Sequence, residues 1–422
     1  MTVSIKILRG DEAHKTRCLC EFIDQWDSLA KQTNHVSIFQ ESVFVNRWYE
    51  QYSSQYEPVL VLGYNQDMNL IGFIPLAIDI PTKKLSHAAD QQAEYSGWLA
   101  HPNYEQQFLN QAIAAVYNQI PHSSWHWSHI PPRADTNWVQ TPPPELRSVH
   151  LHFEQEKSPI LDLDDVEKIK KIKKNKSIKS KINRLKRKGD LHMEHITNQN
   201  RAKEVMQRIP DLVNFRHGAA HGNLAFKEDP FQQNFYLSRT DNLSNNHFSA
   251  LWMGDTLLAF HFGCIDEDTL YIGLTAFDPR ESKHSPGVIF ILFLAEMMKE
   301  QGIRYIDLTP GGDEYKERFC NGHHTLLRPI IYSSGLEKIK NLSIRKSKQM
   351  IFSGLSLLGI DKNSLTKKLD TLKNQSGHEQ DFHLFNLDLI NNRAVAKDEA
   401  TIIHIQEYND LLIHQGYANC IE

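Results

Sequence analysis

The sequence feature that most constrains the fold is the stretch 269–319, where two short apolar segments flank a longer one. Residues 269–277 are rich in β-branched and aromatic side chains and end at an Asp-Pro turn, which is typical of a buried strand. Residues 288–301 follow a Pro-Gly turn and end at Gly302, as a helix does. Residues 303–308 predict another strand. The pattern therefore predicts a strand–helix–strand crossover.

The start of the predicted helix is a candidate anion site. Free backbone N–H groups and aligned peptide dipoles favour negative charge at a helix N-terminus. Lys283 and His284 stand just before this turn and add positive charge. A pyrophosphate fits such a site. The residues that we expect to bind it are Lys283, His284, Ser285, Pro286, Gly287 and Val288.

Two motifs in this stretch carry a resemblance to a known family. SKHSPGVIF at 282–290, followed by GIRYIDLTPGGDEYKERF at 302–319, resembles the second half of the CelD-like acyltransferases of the GNAT superfamily. That branch is related to the FemAB-like aminoacyl transferases. The likeness extends upstream to the basic segment near Lys168 and, more faintly, into the N-terminal third. The usual GNAT phosphate loop, Arg/Gln-x-x-Gly-x-Gly/Ala, is absent from the sequence.

The resemblance implies an α/β fold of tandem GNAT-like units, with mixed sheets flanked by helices and a C-terminal extension. The expected N-terminal unit spans residues 1–153, and the expected C-terminal unit, with the active site, spans 154–335. Residues 336–422 form the expected extension, with helices and two possible strands at 382–390 and 401–405. A similar order of helices, hairpin and later helix in both halves also indicates duplicated units.

The same resemblance implies an N-acyltransferase. The expected donor is an acyl-CoA, such as acetyl-CoA, which acts as a co-substrate without any prosthetic group. The expected acceptor is a small amine, such as an amino sugar in polysaccharide or cell-envelope biosynthesis. One alternative is FemAB-like aminoacyl transfer from charged tRNA to a cell-wall precursor. Another is a catalytically degenerate unit that serves as a binding or scaffold protein.

Acyl transfer to an amine needs a fixed donor, a base for the ammonium proton and stabilisation of the oxyanion. Tyr315 lies where a tyrosine protonates the departing thiolate in much of the superfamily, and Lys316 completes the Tyr-Lys pair of this branch. Glu314 and Asp313 are candidate bases, since shielding from water raises the pKa of a carboxylate. His261, inside a predicted strand, is a competing base. Asp307 is expected to brace the loop after its strand.

The motif GGDEY at 311–315 resembles the GGDEF signature of diguanylate cyclases, which lies on a hairpin. Here the following residues, YKERFC, predict a helical turn instead, and the rest of the cyclase pattern is missing. The motif therefore favours the acyltransferase interpretation.

Residues 164–188 form a strongly basic segment with Asp164 and Asp165 placed as N-terminal caps and Gly189 as the stop. Isoleucines and leucines at near-helical spacing predict a surface helix with one apolar stripe and solvated lysines. The functional alternative is a surface that attracts an anionic donor, including the phosphates of RNA.

Composition excludes several classes of protein. The 422 residues include no run of apolar residues long enough to cross a membrane, and the first ten lack the features of a signal peptide, so we expect a cytoplasmic protein. Five cysteines without a C-x-x-C pair predict neither a disulfide framework nor a zinc site. His122, His126 and His129 lie between prolines in a segment that alternates like a strand, so no metal site is expected there.

Overall fold

The computed structural model describes residues 2–122, 124–221, 224–311 and 314–357. In these residues 13 strands form one mixed sheet, with helices packed on its faces. The strands are β1 (Ser4–Arg9), β2 (Tyr56–Tyr64), β3 (Leu70–Asp79), β4 (Leu85–His87), β5 (Leu99–Ala100), β6 (Ser124–His126), β7 (His150–Asp162), β8 (Leu191–His195), β9 (Asn246–Met253), β10 (Thr256–Asp266), β11 (Thr269–Phe277), β12 (Tyr305–Asp307) and β13 (Gly322–Tyr332).

Helices account for most of the remaining described chain. They are α1 (Gly10–Arg17), α2 (Cys20–Gln32), α3 (Ser42–Gln51), α4 (Glu105–Gln119), α5 (Asn137–Gln140), α6 (Glu167–Lys174), α7 (Lys176–Lys188), α8 (Gln199–Met206), α9 (Pro210–His221), α10 (Ala225–Glu228), α11 (Pro230–Arg239), α12 (Pro286–Glu300), α13 (Glu314–Phe319) and α14 (Gly335–Leu357). Short 3₁₀ turns lie at Ile38–Gln40, Pro144–Leu146 and Pro279–His284.

The sheet runs in the order β1-β2-β3-β4-β6-β13-β7-β12-β11-β10-β9-β8, and β5 pairs with β3. The last described strand, β13, therefore lies in the middle. It pairs with β7 over its whole length, from Gly322 opposite Ile160 to Tyr332 opposite His150. Its other edge pairs with β6. The predicted boundary between residues 153 and 154 falls inside β7.

Each half of the sheet contains one parallel strand pair joined through a helix. In the first half, β4 and β6 are parallel and α4 lies between them in the chain. In the second half, β11 and β12 are parallel and α12 connects them, which confirms the predicted crossover. The other described pairings are antiparallel.

Apolar helix faces cover the sheet. In the first half, Phe108 and Val116 of α4 pack on one face with Trp125, whereas Trp26 of α2 and Trp48 of α3 lie in the cluster on the other. The Phe108 ring lies over β2 and β3, where a Cβ added to Gly63 would lie 2.4 Å from it and one added to Gly72 would lie 2.3 Å from it. Only glycine permits this approach.

In the second half, α12 supplies Ile289, Leu292 and Leu294 to a core that it shares with β10 and β11. Residues from α8 to α11 pack in another cluster with Phe248 and Phe262. Burial of each such apolar side chain stabilises the fold by about 1.5–3 kcal/mol.

Two predicted elements differ from those observed. The alternating segment around His126 and His129, expected to be a strand, is one only up to His126. Residues beyond it meet β13 irregularly, since Trp127 N–H donates to Pro329 O at 3.1 Å. The helix expected over 164–188 is two helices, α6 and α7, separated at Asn175. The strands expected at 382–390 and 401–405 lie outside the described residues.

Candidate active site and donor-binding site

Strands β11 and β12 diverge and open a gap in the sheet. They pair only from Thr269 opposite Tyr305 to Tyr271 opposite Asp307, although β11 continues to Phe277. Beyond Asp307 the chain turns towards β7, where Leu308 N–H donates to Pro159 O at 3.1 Å. The gap lies at the carboxyl ends of parallel strands, the edge where open α/β sheets bind ligands.

The N-terminus of α12 begins at the same edge. Ser285 precedes the helix with φ 53° and ψ 54°, a left-handed conformation, and Pro286 occupies the first helical turn. The Ser285 side chain does not cap the helix. A Cβ added to Gly287 would lie 3.3 Å from the Phe277 ring. Glycine at this position therefore allows the start of the helix to lie close to Phe277. The first backbone N–H groups of α12 therefore have no side-chain cap from Ser285.

Basic side chains from α7 surround this helix start. Lys181 Nζ donates to Ser285 Oγ at 2.7 Å, and Lys188 pairs with Glu281 at 2.7 Å. Lys283 is exposed beside them. Burial, and then the Lys188 ammonium, lower the pKa of the nearby His284. We call the α12 N-terminus with Lys181, Lys283 and Ser285 the donor site, after the ligand that we propose for it.

The basic segment is two helices rather than one, although its apolar side chains pack on the core and most of its lysines are exposed, as predicted. Asn175 interrupts it because its side chain accepts a hydrogen bond from Ser177 N–H at 2.8 Å and so caps α7. The residue before α6 is Val166, so the predicted caps are wrong, although Asp165 Oδ1 accepts from Glu167 N–H at 3.4 Å. Gly189 ends α7 as predicted.

Asp307 lies at the end of β12, in the centre of a buried polar group. It is 2% exposed and accepts hydrogen bonds from the Tyr95 hydroxyl, from Ser158 Oγ at 3.4 Å and from Thr309 N–H at 2.8 Å. Asp307 thus braces the loop after its strand, as predicted. Burial raises the pKa of its carboxyl. Tyr95 belongs to the first half of the sheet, so this contact joins the two halves.

Lys316 holds the other side of the same loop. Its ammonium, buried with the side chain 6% exposed, donates to Thr309 O at 3.1 Å and to Pro310 O at 2.9 Å. Thr309 has φ 63°, which is strained for a β-branched residue, and Asp307 and Lys316 together hold it there. We call Tyr95, Ser158, Asp307, Thr309 and Lys316 the Asp307 cluster.

Glu94 is a candidate functional residue that the sequence did not reveal. It precedes Tyr95 in the loop between β4 and β5 and is partly buried. Burial and the nearby Asp307 charge raise the pKa of its carboxyl to about 7, although Lys316 opposes the shift. A carboxyl with this pKa can act as a general base near neutral pH. Glu94 comes near Asp307 and Lys316, which are more than two hundred positions away in the sequence, only in the folded chain.

The other residues predicted for catalysis lie in different surroundings. Tyr315 is in α13, partly buried against the core beneath α12. Glu314 begins the same helix, but its side chain and all of Asp313 lie outside the described residues. The segment 314–319 is helical, as predicted, which differs from the hairpin of the cyclase motif.

His261 is fully buried within the sheet, where its Nε2 accepts a hydrogen bond from Gly273 N–H at 3.2 Å. Burial lowers the pKa of its imidazole to about 3. This environment suits a neutral ring that fills an irregularity between β10 and β11.

The histidines weighed as metal ligands take separate partners. His122 Nδ1 lies 2.6 Å from Ile120 O, His126 Nε2 lies 2.8 Å from Ser124 Oγ, and His129 Nε2 lies 3.2 Å from Glu156 Oε2. These contacts give each ring its own structural role.

The sequence matches one protein-family model. Residues 173–317 match the model described as an acetyltransferase (GNAT) domain. This range contains the basic helix α7, the splayed strands, the donor site and Lys316. No curated protein matches the chain.

Several solved structures are similar at low identity. FemX is 9% identical, covers 75% of this chain and 98% of its own, and has a TM-score of 0.47. A tandem GNAT protein from the clavulanic acid biosynthesis pathway is 11% identical, covers 79% of this chain and 99% of its own, and has a TM-score of 0.45. The C-terminal domain of a putative lysylphosphatidylglycerol synthetase from Agrobacterium fabrum is 13% identical, covers 76% of this chain and 94% of its own, and also has a TM-score of 0.45. Likenesses at this level carry no argument about function.

The family match and the mixed α/β sheet agree with the fold class expected from the sequence. Among the described residues, no helix combines the length and the apolar character needed to cross a bilayer. Residues 173–317 thus match a GNAT acetyltransferase domain, and this match supports an acyltransferase.

Proposed function

We propose that this acyltransferase moves an acyl group from an acyl-CoA to the amino group of a small acceptor, with an amino sugar of a surface polysaccharide or cell-envelope precursor as the acceptor class. The observation that carries the proposal is the donor site, an uncapped helix N-terminus beside a gap between parallel strands. The acceptor class rests on the resemblance of residues 282–290 and 302–319 to the CelD-like branch.

The donor site supplies the groups that a pyrophosphate needs. The N–H groups of Gly287 and Val288 offer hydrogen bonds, and the Lys181 and Lys283 ammonium groups offer positive charge. The chain lacks the usual GNAT phosphate loop. In this proposal the basic side chains from α7 supply the phosphate contacts that the loop would otherwise make. The thioester then extends into the gap between β11 and β12.

The Asp307 cluster lies at the end of that gap and supports the chemical step. In the proposed reaction, Glu94 removes a proton from the acceptor ammonium, and the freed amine attacks the thioester carbonyl. The carbon–sulfur bond then breaks. Tyr315 gives its hydroxyl proton to the departing thiolate, and the nitrogen passes its surplus proton to the tyrosinate as the amide forms. Lys316 fixes the loop around the oxyanion. Glu314, Asp313 and His261 remain alternative bases in this proposal.

A second function is favoured by one observation, the exposed lysines of α6 and α7. Lys174, Lys176 and Lys179 are exposed on the same pair of helices that carries Lys181. Aminoacyl transfer from a charged tRNA would use such a surface, because lysines bind the RNA backbone. Retention of aminoacyl-tRNA at low salt, lost on changing these three lysines to Glu, would favour this function over acyl-CoA transfer.

The deciding experiment measures donor binding and turnover together. We expect acetyl-CoA to bind by calorimetry and to release free CoA thiol only when an amine acceptor is present. Amino sugars and nucleotide-linked amino sugars should give faster release than simple alkylamines. Absence of acyl-CoA binding to the native protein would contradict the donor assignment, and binding with turnover on other amines would contradict the acceptor class alone.

A further inference from the structure

Three side chains with metal-binding atoms converge at the end of α13. Glu317 lies in the last part of α13, Cys320 directly follows this helix, and His323 lies at the start of β13. One ligand atom from each lies within 4.8 Å of the other two. Cys320 is 3% exposed, whereas Glu317 and His323 are at the surface. The sulfur is therefore buried beside two exposed ligand side chains.

The distances between these atoms match the edges of a tetrahedral site. Cys320 Sγ lies 3.4 Å from Glu317 Oε2 and 3.7 Å from His323 Nε2, and His323 Nε2 lies 3.0 Å from Glu317 Oε2. Zinc bonds of about 2.0–2.3 Å at tetrahedral angles separate neighbouring ligand atoms by about 3.3–3.6 Å. Each observed distance is within a few tenths of an ångström of this range.

We propose that Glu317, Cys320 and His323 bind one Zn²⁺ ion and leave its fourth position open to solvent. Thiolate and imidazole ligands favour zinc over calcium or magnesium, which prefer oxygen. On binding, the thiol gives its proton to the solvent, and the thiolate and carboxylate together balance the charge of the ion. The spacing E-x-x-C-x-x-H was invisible as a metal motif because it spans a helix end and a strand.

Lys168 supports this arrangement from outside the ligand set. Its ammonium donates to Glu317 O at 2.9 Å and also to Cys320 O. These bonds fix the backbone of two ligand residues at the C-terminal end of α13. They do not involve the Glu317 carboxylate or the Cys320 sulfur. A bound ion would then tie α13, which carries Tyr315 and Lys316, to β13.

The same three residues could instead form a metal-free hydrogen-bonded group, in which the Cys320 thiol and His323 donate to Glu317. Titration with Co²⁺ distinguishes a metal site from a metal-free group, because Co²⁺ can replace Zn²⁺ and its visible spectrum depends on its coordination geometry. The protein should be the full chain with Cys18, Cys20 and Cys420 changed to Ser, so that these other thiols cannot contribute. It should first be freed of metal with a chelator.

We expect one equivalent of Co²⁺ to give intense visible bands of tetrahedral cobalt and a near-ultraviolet thiolate charge-transfer band, both removed by one equivalent of Zn²⁺. Cys320→Ser should abolish the charge-transfer band. Loss of a residue that only hydrogen-bonds to a metal ligand weakens metal binding by about 10–100-fold. His323→Gln removes a ligand itself, so it should weaken Zn²⁺ binding by more than this. His324→Gln, the next residue on β13, is the matched control and should leave metal binding unchanged.

A native protein that gives no tetrahedral spectrum would overturn the proposal, and so would bands that persist in Cys320→Ser. If Cys320→Ser loses its fold by circular dichroism, the comparison of His323→Gln with His324→Gln decides. Equal metal affinity in these two variants would also overturn the proposal.

Discussion

The two crossover helices of this protein begin in opposite electrostatic environments. At the start of α4, the Glu105 carboxylate accepts a hydrogen bond from Trp98 Nε1 at 3.1 Å and lies 3.2 Å from His35 Nδ1. At the start of α12, Lys181 Nζ donates to Ser285 Oγ, and the exposed Lys283 lies in the turn just before the helix. A helix N-terminus favours an anion in either case. The first half therefore supplies the anion itself, whereas in our proposal the second half takes the anion from a ligand.

The first half contributes to the proposed reaction in another way. The loop that leads to α4 carries Glu94 and Tyr95 into the Asp307 cluster. We propose that the two crossovers have different roles: the second binds the donor, and the first supplies a base. Each role can be tested by a single substitution.

The largest expected effect comes from Glu94→Gln. If the first half supplies the base, turnover should fall by about 10²–10⁴-fold, the usual contribution of a positioned acid or base, while acyl-CoA affinity stays unchanged. Steady-state kinetics and calorimetry measure the two quantities. Native turnover in Glu94→Gln would mean that the first half has no chemical role and would return the base to Glu314 or Asp313.

The pH dependence gives a separate check on Glu94. The native kcat/KM should rise as pH increases through about 7, since only the ionised carboxylate accepts a proton, and this limb should be absent from the variant. The free energy of unfolding should change in the opposite direction to kcat/KM as pH rises. Because the folded-state pKa of about 7 exceeds the ordinary 4.5, the folded protein loses stability as pH rises between these values. The Tm of Glu94→Gln relative to native protein should therefore increase from pH 5 to pH 8.

Tyr315→Phe should have the next largest effect. The substitution keeps the ring and its packing and removes only the hydroxyl proton. We expect kcat to fall by about 10²-fold or more, with donor affinity nearly unchanged, if the tyrosine protonates the thiolate. The assay must be made where chemistry limits the rate, and a native kcat there would show that Tyr315 has a structural role.

Lys181→Glu tests the donor site against its matched control, Lys179→Glu. Both changes reverse one charge on α7, but only Lys181 reaches Ser285. Loss of a charge-assisted contact should weaken CoA binding by about 10–100-fold in Lys181→Glu and by much less in Lys179→Glu. The difference should shrink at high salt. Equal losses would point to general attraction by the basic helices rather than to a site.

The smallest effect is expected at the first crossover. Glu105→Gln removes the carboxylate from the start of α4 but keeps a side chain that can accept from Trp98. The free energy of unfolding should fall by about 0.3–1 kcal/mol, the value of an anion at a helix start, and donor affinity should not change. A change in acyl-CoA binding would show that the first crossover also takes part in donor recognition.

The sequence predicted the second crossover well because its signals are local. A β-branched strand, a Pro-Gly turn and an apolar helix ending at Gly302 lie within one short stretch. The break at Asn175 was missed because the lysine and isoleucine spacing continues across it, and only the asparagine cap marks the interruption. Glu94 was missed for a different reason. Its pKa depends on burial and on the charges of Asp307 and Lys316, and the sequence around it carries no pattern that predicts this environment.

The position of β13 has a consequence for the order in which the protein can fold during synthesis. β6 and β7 leave the ribosome long before β13, yet each pairs with β13 along an edge. Until residues 322–332 have been made, both strands expose unpaired backbone groups that can join other chains. Chains that terminate before residue 322 should therefore aggregate rather than form a stable first half. The nascent protein therefore keeps these two strand edges unpaired until its last described strand enters the middle of the sheet.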